Sequence, residues 1–193
     1  WISPEPCDEL FGAVDAANVD LKGFTDDFYR RATGARLTDV LDTLVRVRAL
    51  GTWLEITTLL IPGRNDSAAE IAAECAWIVS ELGSEVPVHF SAFHPAHRML
   101  DVPRTPASTL ERARAIAHDV GIAHVYLGNV RTSSGSSTCC AGCGALLVDR
   151  AGYRVADYRI TPEGACPQCG HEVAGIWDPA GPPPAVGQWW PRR

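Results

Sequence analysis

Two short cysteine motifs in the last third of the chain constrain its folding most strongly. The sequence reads Cys-Ala-Gly-Cys-Gly at 140–144 and Cys-Pro-Gln-Cys-Gly at 166–170. Two thiolates spaced in this way can hold one edge of a metal tetrahedron, and the glycine that follows lets the backbone turn its N–H groups toward sulfur. Two disulfides are the alternative, but the rest of the composition is typical of a cytosolic protein and favours a closed zinc or iron site. The predicted ligands are Cys140, Cys143, Cys166 and Cys169.

A closed four-cysteine site folds a small module and leaves no coordination position for chemistry. We therefore predict a zinc-ribbon, rubredoxin-like, over residues 138–175, with a β-hairpin of Ala145–Val148 and Tyr153–Ile160 that turns at Gly152. Its role could be stabilisation or the docking of a protein partner. The tail, residues 178–193, is rich in proline and glycine and is predicted to be disordered. The remaining thiols, at Cys7, Cys75 and Cys139, are expected to be free.

The composition limits the remaining possibilities. With 193 residues, 46% hydrophobic content and a net charge of −6, the chain can form one sizeable core and a small appendage. The acidic balance argues against a nucleic-acid partner, and no apolar run is long enough for a membrane span. The chain begins at Trp1 and its only methionine is Met99, so we expect a fragment of a longer, cytoplasmic protein.

From Pro6 to about Val130, short apolar strands alternate with amphipathic helices, which predicts an α/β fold with parallel strands. Helices are predicted over Asp26–Ala32 and Asp39–Ala49, with Thr25 and Thr38 as N-caps. Two further helices are predicted from capping boxes that begin at Ser67 and Ser108. Glycines 51, 83 and 121 are predicted to end three of the helices. The predicted strands are Ala17–Leu21, Thr52–Ile61, Pro87–Phe93 and Ala123–Leu127.

The predicted strands are polar on one face and apolar on the other. The polar face is predicted to carry Asn18, Asp20, Lys22, Trp53, Glu55, Thr57, His89, Ser91, His124 and Tyr126. A conventional barrel interior is filled with branched apolar side chains. The pattern thus favours a wider or open barrel that holds a polar ligand, and a solvated face is the alternative. Because ligands lie beyond the carboxyl ends of parallel strands, the candidate rim consists of Asp20, Lys22, Pro62, Gly63, His94, Gly128 and Asn129.

Four segments carry a resemblance to a known family. They read NVDLKGF at 18–24, WLEITTLLIPGRND at 53–66, HFSAFHP at 89–95 and YLGNV at 126–130. Together they resemble the C-terminal half of a radical S-adenosylmethionine (SAM) enzyme related to pyruvate formate-lyase activating enzymes. The added ribbon, with Ser137 and Thr138 before its first cysteine pair, resembles the ribbon of the AmmeMemoRadiSam-system branch of this family. The resemblance covers about residues 1–177.

The resemblance implies a partial parallel barrel over residues 1–132 that works with SAM and a 4Fe-4S cluster. Reductive cleavage of SAM would give a 5′-deoxyadenosyl radical, with electrons from a donor such as flavodoxin or ferredoxin. The family binds its cluster through a C-x-x-x-C-x-x-C loop, and this sequence contains no such triplet. The fragment alone is therefore expected to be inactive, and the substrate, protein or small molecule, is not indicated.

Residue by residue, the resemblance implies four cofactor-binding positions and no catalytic side chain. Asp20 and Lys22 match the Asp-Leu-Lys strand end of the family, near the carboxylate end of the cofactor. His94 matches the histidine that contacts the adenosyl portion. Glu55 projects into the implied barrel, where it contacts cofactor or substrate or is a structural carboxylate.

Two other functional hypotheses remain open at this point. In the first, the ribbon recruits partners and the half barrel is a non-catalytic scaffold. In the second, the chain belongs to an ordinary barrel lyase or aldolase, and Lys22 forms an imine with a carbonyl substrate.

Overall fold

The computed structural model describes residues 1–130, 135–152 and 154–177. The chain divides into two compact units, Trp1–Arg131 and Thr132–Arg193. The predicted disordered tail, residues 178–193, and Tyr153 of the predicted hairpin lie outside the described residues. Within the described ranges, no helix combines the length and the apolar character that a bilayer crossing requires.

The first unit is built on a four-stranded parallel sheet in the order β1-β2-β3-β4. Each strand is followed by a helix-containing connection or by the end of the unit, which gives parallel neighbours. The prediction of an α/β fold with four parallel strands is thus confirmed, and the strand ends differ from those predicted by one or two residues. The strands are β1 Ala16–Asp20, β2 Trp53–Leu60, β3 Val88–Ala92 and β4 Val125–Gly128.

Five α-helices and one π-helical turn occupy the described part of this unit. The helix predicted over Asp26–Ala32 is present, but only its first part is α-helical, because a π-helix covers Tyr29–Thr33. An eight-residue helix at the start of the chain was not predicted. The α-helices are α1 Pro4–Phe11, α2 Asp26–Phe28, α3 Leu37–Ala49, α4 Ala68–Glu81 and α5 Ala107–Val120.

The predicted N-caps have different outcomes. Thr25 caps α2, since its hydroxyl accepts a hydrogen bond from the N–H of Phe28 at 3.2 Å. Ser67 caps α4 in the same way, but Glu70 does not complete the box, because its carboxylate accepts from the N–H of Phe24. The prediction for Thr38 is wrong, because α3 already begins at Leu37.

The capping box predicted at Ser108 is also wrong. Helix α5 begins at Ala107, so Ser108 lies inside the first turn, and the N-cap is Pro106, which offers no side-chain acceptor. Glycines after helices were predicted correctly. Gly51, Gly83 and Gly121 have φ angles of 83°, 106° and 113°, in the left-handed region that favours glycine.

The core of the first unit lies between one face of the sheet and its helices. The buried side chains Leu54, Ile56 and Leu60 alternate along β2, and Val88, Phe90 and Ala92 do so along β3. Burying one such large apolar side chain contributes about 1.5–3 kcal/mol. The intervening residues of β2 and β3 are only partly buried and belong to the other face of the sheet. We call this second face the open face.

The second unit contains an antiparallel sheet in the order β5-β6-β7, with β5 Thr138–Cys139, β6 Leu146–Ala151 and β7 Arg154–Tyr158. The predicted hairpin is confirmed, with Gly152 at a φ of 61° in its turn. Strand β5 was not predicted. The buried cluster of this unit is small and includes two of the predicted metal ligands: Cys140, Leu147, Val148, Ile160, Cys166 and Val173. A core of this size is typical of modules that depend on a metal or disulfides for stability.

Candidate functional site

The open face of the parallel sheet is partly exposed and polar. Along β2, the side chains of Trp53, Glu55 and Thr57 are half-buried, and they alternate with fully buried apolar residues. In β3, His89 and Ser91 follow the same alternation. His124 was predicted to share this polar face, but it precedes β4 and is only 7% exposed.

Polar side chains on this face bind one another across the strands. The Nε2 atom of His89 lies 2.8 Å from Oε2 of Glu55, and the indole N–H of Trp53 donates to the other oxygen of Glu55 at 3.3 Å. The hydroxyl of Thr57 donates to the amide oxygen of Asn18 at 2.8 Å. The ring of Tyr126 lies beside that of His89, with 5.0 Å between centroids. This face therefore carries a connected polar network.

The Glu55 carboxylate is the acidic centre of that network. The hydrogen bond from His89 lowers its pKa, and burial opposes this effect. The contact between Nε2 of His89 and the Glu55 carboxylate holds the imidazole ring in place on this face. Glu55 was predicted from the sequence to project into the barrel, and the structure adds His89 as its partner.

Two of the predicted site positions, the Asp20–Lys22 pair and His94, lie at the carboxyl edge of the sheet, whereas Glu55 lies near the start of β2. At the end of β1, Nζ of Lys22 lies 2.7 Å from Oδ2 of Asp20, and the two side chains are 41% and 52% exposed. After β3, Nε2 of His94 lies 3.4 Å from the backbone oxygen of Asn129. No hydrogen bond in the described ranges joins the Asp20–Lys22 pair, His94 and the Glu55–His89 pair to one another. The predicted residues thus share an edge and a face without forming one cluster.

Asn65 organises the loop after β2 and was missed by the sequence analysis. It is 2% exposed, and its Nδ2 donates to the backbone oxygens of Lys22 and Leu59 at 2.8 and 2.9 Å. Its Oδ1 accepts from the N–H of Ile61 at 2.7 Å. One amide therefore links the ends of β1 and β2. The sequence signal, an asparagine after Pro-Gly-Arg, indicated only a turn.

Asn129, directly after β4, links the ends of β3 and β4 in a similar way. Its φ of 57° is left-handed, and its Nδ2 donates to the oxygen of Ala92 at the end of β3, at 3.3 Å. Its own carbonyl accepts from the guanidinium of Arg104 at 3.2 Å. An open depression next to this residue is lined by Arg104, Thr105, Pro106, Ala107 and Val130.

The candidate metal centre is formed by the four predicted cysteines of the second unit. Their sulfur atoms all lie within 4.8 Å of one another, with 3.6 Å between Cys140 and Cys169 and 3.7 Å between Cys143 and Cys166. A tetrahedron with metal–sulfur bonds of about 2.3 Å has edges of about 3.8 Å. The sulfur positions thus fit a tetrahedral zinc or iron ion.

Both cysteine pairs share one backbone geometry. The N–H of Gly144 donates to the oxygen of Cys140, and that of Gly170 donates to the oxygen of Cys166, each at 2.9 Å. Both glycines are left-handed, with φ of 74° and 73°. Burial raises the pKa of Cys166, but hydrogen bonds from the amides of Cys169 and Gln168, together with those to the neighbouring Cys140 and Cys143 thiols, outweigh this effect and bring the pKa down to about 7. The turns therefore supply N–H groups to sulfur, as the sequence predicted.

The other three cysteines are free, as expected. Cys7 and Cys75 are buried in the first unit, and Cys139 is exposed in the second. Burial raises the pKa of Cys75 to about 12, so this thiol stays protonated. None of the three belongs to the group that could hold a metal in the described part of the chain.

Known proteins resemble this chain in sequence and in fold, although no protein-family model matches it. An uncharacterized protein of Methanocaldococcus jannaschii is 40% identical over 174 residues, which cover 90% of this chain and 51% of that protein. The chain thus spans about half the length of the curated relative that it matches.

Two solved structures share the fold at low sequence identity. A domain of a pyruvate-formate lyase-activating enzyme from Bacteroides vulgatus has a TM-score of 0.58 and 17% identity, over 66% of this chain and 75% of that one. A radical SAM methyltransferase from Sphaerobacter thermophilus has a TM-score of 0.52 and 20% identity, over 74% of this chain and 41% of that one. The chain therefore combines a partial parallel barrel, the fold that it shares with these two structures, with a four-cysteine ribbon of the zinc-ribbon type.

Proposed function

We propose that this chain is part of a radical SAM oxidoreductase related to glycyl-radical activating enzymes, of the AmmeMemoRadiSam-system branch. The observation that carries the proposal is the exposed Asp20–Lys22 pair at the carboxyl end of a parallel strand, in a fold that radical SAM proteins share. Ligands of such sheets bind beyond this edge. The protein would work in the reducing cytoplasm, which suits its free thiols.

Each proposed cofactor contact follows from the chemistry of its side chain. The Lys22 ammonium would pair with the carboxylate of SAM, and Asp20 would orient that ammonium or hold a cation. His94, at the same edge, would contact the adenosyl portion. Glu55 lies on the open face and would contact cofactor or substrate.

The cluster ligands would come from outside this sequence. Four of the seven cysteines form the ribbon group, Cys7 and Cys75 are buried, and the sequence lacks a C-x-x-x-C-x-x-C loop. The greater length of the Methanocaldococcus relative is consistent with a further segment that supplies the loop. When bound, the 4Fe-4S cluster would reduce SAM to give the 5′-deoxyadenosyl radical, with electrons from a flavodoxin or ferredoxin. Substrate and reaction outcome are left open in this proposal.

The ribbon would carry a structural zinc ion. Four sulfurs with tetrahedral spacing and no open position suit zinc, and they also suit iron of the rubredoxin kind. Metal analysis of the purified chain decides between the two ions.

Anaerobic reconstitution tests the proposed function, with the longer Methanocaldococcus relative and this chain prepared in parallel. We expect the relative to show a reducible 4Fe-4S signal by electron paramagnetic resonance and to form 5′-deoxyadenosine from SAM. This chain alone should do neither. A relative without cluster or product would favour the scaffold or imine hypotheses, and a cluster with product on this chain would refute the assignment of the cluster ligands elsewhere.

A further inference from the structure

The loop that carries Lys22 is held by side chains from three other places in the sequence. We define the Lys22 loop as residues 22–24, which directly follow β1. The chain contains 17 lysine and arginine residues, and Lys22 is its only lysine. A lysine presents a compact point charge on a long flexible stem, so its direction depends on how firmly its backbone is held.

Both backbone polar groups of Lys22 are bound by side chains. Its N–H donates to the hydroxyl of Tyr29 at 3.0 Å, and its carbonyl accepts from Nδ2 of Asn65 at 2.8 Å. Tyr29 and Asn65 are each 2% exposed, so both partners are fixed in the core. Burial raises the pKa of Tyr29 to about 12, which keeps its hydroxyl protonated.

The next two residues are held as well. The N–H of Phe24 donates to Oε1 of Glu70 at 2.8 Å, and the Phe24 ring lies 6.1 Å from that of Trp77. A Cβ atom at Gly23 would lie 2.8 Å from the ring of Phe28, so only glycine fits against that ring without a shift. Every residue of the loop therefore makes a defined contact.

Tyr29 lies where helix α2 passes into the π-helical turn. Helix α2 ends at Phe28, and the turn over Tyr29–Thr33 follows directly. Such turns are frequent at functional sites. Through its hydroxyl, the first residue of this turn accepts a hydrogen bond from the backbone N–H of the only lysine.

We propose that Tyr29, Asn65 and Glu70 are positioning residues that lock the Lys22 loop so that its ammonium is presented in one direction beyond the sheet. The recognition of an anionic ligand group by Lys22 rests on the proposed function, whereas the lock itself does not. A backbone that is already rigid has little loop entropy left to lose on binding, so the lock would strengthen binding without contact to the ligand.

The single lysine allows a direct test on this chain. Growth with lysine labelled in 13C and 15N gives one backbone amide and one side chain in the NMR spectrum. Tyr29→Phe removes only the acceptor hydroxyl. Thr52→Val is the matched control, because it removes a buried hydroxyl that donates to the backbone oxygen of Phe11, just before the start of β2 and at the opposite end of the sheet from Lys22.

We expect amide exchange of Lys22 to be about fivefold to tenfold faster in Tyr29→Phe, the effect of about 1 kcal/mol for one hydrogen bond. Its 13Cε signal should move toward the value of a free lysine. Thr52→Val should leave both unchanged. Glu70→Ala should also release the 13Cε signal, and Glu70→Gln, which keeps an acceptor oxygen, should restore it.

Equal Lys22 exchange and equal 13Cε shifts in Tyr29→Phe and the unmodified chain would refute the lock. Titration with SAM separates this result from the proposed function. A response of the Lys22 signal that is about threefold weaker in Tyr29→Phe supports both proposals. If the unmodified chain does not respond to SAM, cofactor binding by this chain is refuted, and the exchange data alone judge the lock.

Discussion

A buried carboxyl group offers the sharpest stability test in the first unit. Glu74 lies on α4, is 1% exposed and accepts a hydrogen bond from the hydroxyl of Thr58 on β2. Burial raises its pKa from 4.5 to about 8, although the hydrogen bond from Thr58 opposes this shift. The folded state therefore keeps Glu74 protonated at pH values where the unfolded chain has lost that proton.

The sign of the effect follows from proton linkage. Between pH 4.5 and pH 8 the folded state binds the proton and the unfolded state does not, so the free energy of unfolding falls as pH rises. One pKa unit corresponds to about 1.4 kcal/mol, and between pH 5 and pH 8 the loss is about 3 kcal/mol. Glutamine at position 74 keeps the acceptor oxygen and removes the titration.

Urea unfolding of both proteins, followed by far-ultraviolet circular dichroism at pH 5 and pH 8, measures this difference. We expect Glu74→Gln to be within about 1 kcal/mol of the unmodified chain at pH 5 and about 3 kcal/mol more stable at pH 8. Glu81→Gln, an exposed position on the same helix, is the matched control and should show no such gain. A constant difference between the Glu74→Gln and unmodified chains at both pH values would refute the argument.

Three further predictions concern the ribbon, the open face and the edge of the sheet. Cys166→Ser should lose the bound metal and unfold the ribbon, whereas Cys139→Ser should keep the metal and the folded ribbon. Metal analysis and NMR measure these two properties, and a folded, metal-free ribbon in Cys166→Ser would contradict the prediction. Glu55→Gln should lower stability by about 1 kcal/mol at pH 7. The difference should shrink once pH falls below the unfolded value of 4.5 and disappear below the lowered pKa of folded Glu55, because a lowered pKa contributes stability that is complete only above the unfolded value. Hydrogen exchange should be fast in β1, which lies at an edge of the sheet, and it should be slower in a longer protein that contains a further strand paired with β1. Strong protection of β1 in this chain alone would show that the sheet is self-sufficient.

The strands could be predicted because their signal is local. Alternation of polar and apolar residues in β2 and β3 corresponds to the two faces of the sheet, and it survives in the observed burial. The cysteine pairs are local in the same sense, since each turn is made by five consecutive residues. These features needed no knowledge of distant contacts.

Helix starts were harder to predict, because tertiary contacts decide them. The N–H of Leu37 donates to the carboxylate of Asp26, so an acceptor from α2 caps α3 in place of Thr38. At α5, Thr105 has the hydroxyl that a cap requires, but that hydroxyl binds Leu60 and Phe93. The start of helix α1 could have been predicted, because Ser3 is followed by a proline at the first helical position.

The site residues that were missed act over long sequence separations. Asn65 binds the backbone of Lys22 across 43 positions, and Glu70 binds Phe24 across 46. A single sequence shows the types of these residues but not their partners. The carboxyl edge could therefore be predicted as a place, from strand direction, whereas the contacts that organise it could not.

The first unit can fold without a layer that covers the open face of its sheet. Its polar groups already satisfy one another, since Glu55 binds His89 and Asn18 binds Thr57, so water or a ligand can reach this face without leaving buried groups unpaired. The fully buried positions of β2 and β3 alternate with the polar ones and so belong to the opposite face of the sheet. The Lys22 loop is held by Tyr29 and Asn65, which are both buried and take no part in these polar contacts of the open face. Its order should therefore persist whether or not the open face is occupied, which is why the Tyr29→Phe comparison can be made on this chain alone.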